Sequence, residues 1–265
     1  MTVIGQSTAS HTVEIPDSEG SVVLAWGLDT HTGYRRRHNE DSLVARPPIF
    51  AVADGMGGHS AGDVASNAVV TRLSEAAVGQ VTSAEVIDAA LRAATGDISL
   101  AADHSQLGVG TTVTGAAVMA KNGVPHWAIF NVGDSRVYLC ENGKLTQVTV
   151  DHSVVQELVD AGMITAGEAE QHPDSNIITR AVGFNADPVT DYWLIPLRKG
   201  MRLLLCSDGL TKEVDFAQLE QQLAAGHPPA QTSALLVDTA LAAGGRDNVA
   251  VLVIDVVDGP IGDED

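Results

Sequence analysis

The sequence is poor in cysteine, in aromatic residues and in positive charge. Its 265 residues hold two cysteines, and Phe, Trp and Tyr together make up 4%. Cys140 and Cys206 have no closely spaced partner, which excludes a cysteine-rich metal site, and each lies at or near the end of an apolar segment where a small buried hydrophobe is expected. Long apolar runs are also missing. None approaches the ~18 residues that a membrane-spanning helix needs. The opening MTVIGQSTASHTVEIPDSEG lacks a basic stretch followed by an apolar core, so no secretory signal is expected and the cytoplasm is the default compartment. Residues 1–21 read as a flexible lead and residues 257–265, ending DGPIGDED, as an acidic tail. Lys and Arg number 15 against 34 Asp and Glu, a formal net charge of −19. A basic face for nucleic acid is therefore excluded. The acid surplus either serves solubility or includes carboxylates that converge on cations.

Apolar residues make up 45%, ample for a core, and their pattern indicates α+β. Val22 to Leu28 and Ile49 to Ala53 read as strands. A helix is expected between His59 and Val78, and a second behind Thr82 and Glu85, which have capping-box spacing. Four β-rich segments follow, TTVTGAAVMA, VPHWAIFNVG, RVYLCENG and KLTQVTV, with Asn-Gly at 122–123 and 142–143 predicting hairpins. Ser153 to Gly162 and Thr165 to Glu168 predict short helices within a polar flap of about residues 153–185. Strands return at Thr190 to Ile195 and Met201 to Ser207. Helices near 215–225 and 229–243 precede a last strand, NVAVLVIDV. Trp127 and Trp193 are expected in the core. With neither a linker nor a repeat in evidence, one domain over residues 22–256 is expected.

Two apolar strands run straight into Asp-Gly: IFAVADGMGG at Asp54 and RLLLCSDGL at Asp208. Asp134, in NVGDSR, lies in a turn between strands, and Asp247, in GGRDNVAV, opens the last strand. Strand ends aim side chains rigidly, and clustered carboxylates repel unless protonated or bridged by cations. Mg²⁺ and Mn²⁺ prefer such oxygen ligands. A lone Asp-Gly is ordinarily a turn. Spacing alone leaves open whether the four meet. The GMGGHSAG segment lacks the Gly-Lys-Ser/Thr of a phosphate loop and has Ser60 where a dinucleotide motif needs Gly. Asp63, near a helix start, is read as complementing the helix dipole.

Taken together, RRRHNED (35–41), ADGMGGHSAGDVAS (53–66), GTTVTGAAV (110–118), VGDSRVY (132–138), CSDGL (206–210) and GGRDNVAV (244–251) resemble the bacterial metal-dependent serine/threonine protein phosphatases of the 2C type. The resemblance implies a central β-sandwich of two antiparallel sheets flanked by helix pairs, four layers in all, with a metal cleft at one end. It also implies hydrolysis of phosphoserine and phosphothreonine by a hydroxide bridging two Mn²⁺ or Mg²⁺ ions. Asp54 would bridge both ions, the Gly55 carbonyl would bind one, and Asp208 and Asp247 would complete the other. Asp134 with Asp208 would hold the third ion of bacterial relatives. Glu40 and Asp41 would act largely through metal-bound water, and Arg36 would grip the phosphate. Phosphorylated proteins, with serine/threonine kinases among the candidates, are the implied partners of a monomer.

Met56 departs from the pattern, because some relatives have a histidine there as leaving-group acid; His38, His59, His152 and metal-bound water remain as alternatives. Arg180 either touches substrate from the flap or pairs with an acid. A cysteine-dependent phosphatase loop is absent, since Thr146 and Lys212 stand six residues after the two cysteines. A catalytically silent regulatory domain is the competing reading.

Overall fold

The computed structural model describes residues 1–16, 20–57, 61–101, 108–169, 171–184 and 187–260. In chain order the first half contains β1 (Val3–Ile4), β2 (Thr8–Glu14), β3 (Ser21–His31), β4 (Asp41–Arg46), β5 (Ile49–Met56), α1 (Ala61–Ala76), α2 (Ala84–Ala101), β6 (Gly110–Thr111), β7 (Val113–Lys121) and β8 (Val124–Val132). The second half contains β9 (Arg136–Glu141), β10 (Lys144–Gln147), α3 (Val154–Asp160), α4 (Ala166–Ala169), β11 (Asp191–Pro196), β12 (Arg202–Cys206), α5 (Asp208–Thr211), α6 (Phe216–Ala224), α7 (Pro229–Ala243) and β13 (Val249–Asp258).

The strands form two sheets. One runs β1-β4-β5-β7-β8-β11 with β6 beside β5, the other β10-β9-β12-β13-β3-β2. Every pairing is antiparallel except the two-residue β1–β4 contact. Both expected hairpins form, with Asn122 (φ 54°) and Asn142 (φ 53°) each followed by a glycine of positive φ, as a two-residue hairpin turn requires.

Strand alternation sends one set of side chains between the sheets, where Leu24, Trp26, Leu43, Phe50, Val52, Trp127, Leu203 and Leu252 pack. The other set meets helices. Ala65, Val69 and Leu73 of α1 and Ile87, Leu91 and Ile98 of α2 cover the first sheet. Leu219 and Leu223 of α6 and Leu236, Val237 and Ala240 of α7 cover the second. The order is helix, sheet, sheet, helix. Trp127 is fully buried, and Trp193 packs partly buried against the same core.

Two expectations are corrected. Residues 1–16 of the expected flexible lead are not loose: β1 joins the first sheet, β2 forms the edge of the second, and the Trp26 indole donates to the Gln6 carbonyl at 2.8 Å. Polar, alternating sequence at an exposed sheet edge buries little and so resembles a tail. Thr82 does not cap α2, which begins at Ala84; its hydroxyl is buried without a partner, and Ile87 N–H instead reaches the Ser83 carbonyl. By contrast Ser153 caps α3, accepting from Gln156 N–H at 3.2 Å. Residues 261–265 of the tail lie outside the described residues.

The seat of α7 on β3 depends on Gly27. A Cβ there would stand 2.2 Å from the Ala230 nitrogen and 2.3 Å from the Pro229 carbonyl carbon, both backbone atoms that no rotamer can move. Gly27→Ala is expected to cost about 1–3 kcal/mol, the range for overpacking a core, and to lower the urea midpoint accordingly.

Candidate metal and phosphate site

The acidic residues gather because several strands end at the same edge of the sandwich. Asp41 pairs with Asp54 across β4 and β5. In the second sheet Cys206 is opposite both Arg136 and Val251, and Val249 is opposite His31. The segments carrying Asp134, Asp208, Asp247 and Arg36 therefore all leave the sheet at one end. The two Asp-Gly strand ends are not glycine turns. Neither Gly55 nor Gly209 has the positive φ of a glycine turn. Both permit close approach instead. A Cβ on Gly55 would lie 2.0 Å from the Gly62 carbonyl oxygen and 2.7 Å from that of Glu40; one on Gly209 would lie 1.9 Å from the Asn248 carbonyl oxygen.

Most of the supporting bonds reach backbone. Thr111 Oγ1 donates to the Asp54 carbonyl at 2.8 Å, Thr112 Oγ1 accepts from Asp54 N–H at 3.2 Å, and Thr112 shares a 2.7 Å hydroxyl contact with Ser135. Asn248 is a residue that sequence reading missed, although it directly follows Asp247. Its Oδ1 accepts from Glu40 N–H at 2.8 Å, while its amide donates to the carbonyls of Thr32 and His38. Ser207 was missed too; it donates to Asp41 Oδ2 at 2.8 Å and accepts from Ala250 N–H at 2.9 Å.

The electrostatics are those of like charges held together. Asp54 keeps some solvent contact, yet burial, followed by the charges of Asp41, Asp208, Asp134 and Asp247, holds its carboxyl well above the usual range. Asp41 is fully buried; that burial, reinforced by Asp208 and Asp247 and opposed by the Ser207 bond, pushes it up to about 7. Asp134, also raised to about 7, owes this first to burial and then to Asp208 and Asp151. Glu40 is raised by burial and by Asp63. Asp63 does lie in the first turn of α1, as expected, but its Oδ1 is buried without a partner.

Two cations already answer the cluster. Arg36 Nη2 bonds Asp247 Oδ2 at 2.8 Å, and Lys212 Nζ bonds Asp208 Oδ2. Among the described residues, no three carboxylates, imidazoles or thiols are closed to metal-ligand spacing. What fits a hard cation is the donor set itself: oxygen ligands, mutually repelling, with Asp41 Oδ1 and Asp208 Oδ1 both buried and lacking any hydrogen-bond partner.

The other candidates separate. His152 is a framework residue. Its Nδ1 accepts from Gly133 N–H at 3.0 Å, which leaves the Nε2 proton to donate to Asp191 Oδ2 at 3.0 Å. Arg180 takes the acidic-neighbour alternative, bonding Asp191 Oδ1 at 2.8 Å. His38 is exposed beside Glu40. His59 lies outside the described residues.

A family model described as protein phosphatase 2C matches residues 34–243. The serine/threonine phosphatase stp of Listeria innocua is 38% identical over 239 residues, covering 85% of this chain and 93% of its own. The chain belongs to the protein phosphatase 2C family. It is a serine/threonine protein phosphatase by that membership. PstP of Mycobacterium tuberculosis is 39% identical over 247 residues, 90% of this chain but 46% of PstP. Its crystal structure superposes with a TM-score of 0.80 at 35% identity, covering 88% of this chain and 98% of that one. The catalytic domain of PstP in complex with two manganese ions gives 0.77 at 36% identity, covering 89% and 99%.

A pH dependence follows for chelator-treated protein. Carboxyls whose folded pKa lies above the unfolded value hold protons that the unfolded chain gives up, so their contribution is fully present below about pH 4 and lost as pH rises through about 7. The melting temperature at pH 5 is expected to exceed that at pH 8 through this cluster, and saturating Mn²⁺ is expected to flatten or reverse the difference.

Proposed function

We propose that the cleft hydrolyses phosphoserine and phosphothreonine in proteins with the help of divalent ions held by Asp54, the Gly55 carbonyl, Asp208 and Asp247. The observation that carries this reading is the position of Asp54, which feels four other aspartates at once while two buried carboxylate oxygens beside it lack partners. When bound, such ions supply Lewis acidity and bring the ionisation of water toward neutral pH. Manganese is the ion in the PstP complex; magnesium offers the same oxygen preference. Asp134 with Asp208 would hold any third ion.

The chain's own residues supply the rest. Arg36 offers a planar pair of N–H donors to two phosphate oxygens, which a lysine cannot match. Glu40, raised by burial and by Asp63, and Asp41, anchored by Ser207, act as proton-holding and orienting groups behind the ligands. A cysteine nucleophile is not required, and burial pushes the Cys206 thiol up to about 12, away from the reactive thiolate. His152, committed to Gly133 and Asp191, is not free to protonate the leaving oxygen.

The catalytic unit is one domain over residues 22–256, to which β1 and β2 add edge strands. The 153–185 flap, closed on itself by the bridge Ser153–Ile178 and joined to the body by Thr111–Val182, shapes access for phosphoproteins, serine/threonine kinases among them. A cytoplasmic monomer is the matching setting; among the described residues no helix is long and apolar enough to cross a membrane.

Hydrolysis of p-nitrophenyl phosphate and of a phosphothreonine peptide with Mn²⁺, with and without chelator, tests the reading. Chelator and Asp208→Ala should each remove activity by more than the ~10–100-fold that partners of metal ligands cost. Arg36→Lys should lower kcat/KM about tenfold or more, the worth of a charge-assisted bond. Metal-independent turnover, or full activity in Asp208→Ala, would overturn the proposed metal site, and no turnover with any divalent ion would favour a silent regulatory domain.

A further inference from the structure

Lys212 is not explained by the functions assigned so far. It follows the four-residue helix α5, so its side chain stands one turn above Asp208, and its N–H donates to the Asp208 carbonyl at 2.9 Å. Such an i,i+4 pair on a free helix face is worth little. This pair is different in its surroundings. The Asp208 side chain is 16% exposed, its Oδ1 is buried without a partner, and its Oδ2 is taken by the lysine ammonium. The ammonium also acts on the other acids around it: it is attracted to Asp134 and Asp247 as well as to Asp208, and it opposes the upward push on the Asp134 carboxyl. The register of β9 on β12, with Arg136 opposite Cys206, brings the turn holding Asp134 beside Asp208, so the ammonium lies in the field of both carboxylates.

We propose that Lys212 is a tethered cation serving the Asp134–Asp208 pair, competing with any third divalent ion for that site and leaving the chain as a two-ion enzyme at ordinary metal concentrations. The inference rests on the proposed function above and deepens it. Its physical basis is simple. Asp208 Oδ2 cannot serve an ammonium and a divalent ion equally, and an ammonium ~5 Å from a divalent ion repels it by an amount worth about tenfold in affinity even in a water-like dielectric. A lysine on a flexible stem can also withdraw, so the competition weakens the ion's binding and does not forbid it.

Binding of Mn²⁺ alone, followed by the electron paramagnetic resonance signal of the free ion, reads this without reference to turnover. The expected result for the wild type is two ions bound, with a third at least about tenfold weaker than in Lys212→Met, which takes up three over the same range. Lys212→Arg, keeping the charge, is expected to behave as the wild type; it also separates loss of charge from loss of packing. Melting of the chelator-treated proteins gives a second readout, in which Lys212→Met lowers the melting temperature and Mn²⁺ restores it more than in the wild type. Superimposed isotherms for the wild type and Lys212→Met, or three ions of similar affinity in the wild type, would overturn the role of Lys212 while leaving intact the proposed function, which needs only the ions on Asp54, Asp208 and Asp247. A wild-type chain that takes up no manganese would overturn both.

Discussion

Everything at the functional end of this molecule depends on holding like charges together. Five aspartates share one cleft, and burial and mutual repulsion raise Asp41, Asp54 and Asp134 above their ordinary range. Side chains free to choose would separate. They are kept together by backbone that is fixed elsewhere: β5 lies between β4 and β7, while β12 and β13 lie in the interior of the second sheet with core side chains on both faces. The electrostatic cost of the cleft is thus offset by apolar burial in three separate layers. Cations relieve it locally.

The joints between the two sheets are small polar residues that carry no charge. Asn248 ties the Glu40 backbone to the segment holding Asp247, and Ser207 ties Asp41 to the segment holding Asp208. Each spans residues from different sheets. A carboxylate in either position would add charge to the cluster, and an aliphatic residue would leave buried N–H and carbonyl groups without partners. The glycines at 55 and 209 belong to the same requirement, since only the absence of a Cβ lets the carbonyls of Gly62 and Asn248 come so close.

Much of this was legible because it is written in residue types that have few other uses at a strand end. Asp-Gly after an apolar run, Asn-Gly between β-rich segments and helical spacing of alanine and leucine each correspond to an element in the structure. What escaped had no local signature. Ser207 and Asn248 act on residues about 166 and 208 positions away, so nothing near them in sequence reveals the partner. The N-terminal strands escaped because edge strands bury little and need no apolar alternation. Thr82 had capping spacing, but the helix began two residues later and its hydroxyl was turned inward.

The two cations at the cleft differ in what they leave open to a substrate. The Arg36 side chain is 52% exposed and meets Asp247, itself a proposed ion ligand, through a single Nη2 contact. A guanidinium stays charged and carries five donors, so the bond to Asp247 leaves most of its fork unused. With Asp247 among the residues that would hold a divalent ion, the unused donors of the half-exposed Arg36 are what remains for a substrate phosphate. Lys212 is less exposed and faces several carboxylates, so no comparable exchange with a substrate is open to it. On the proposed reading, the outer cation passes from protein carboxylate to substrate phosphate, while the inner one remains with the acids it neutralises. The ion site and the phosphate site would thus share one ion pair, Arg36 and Asp247.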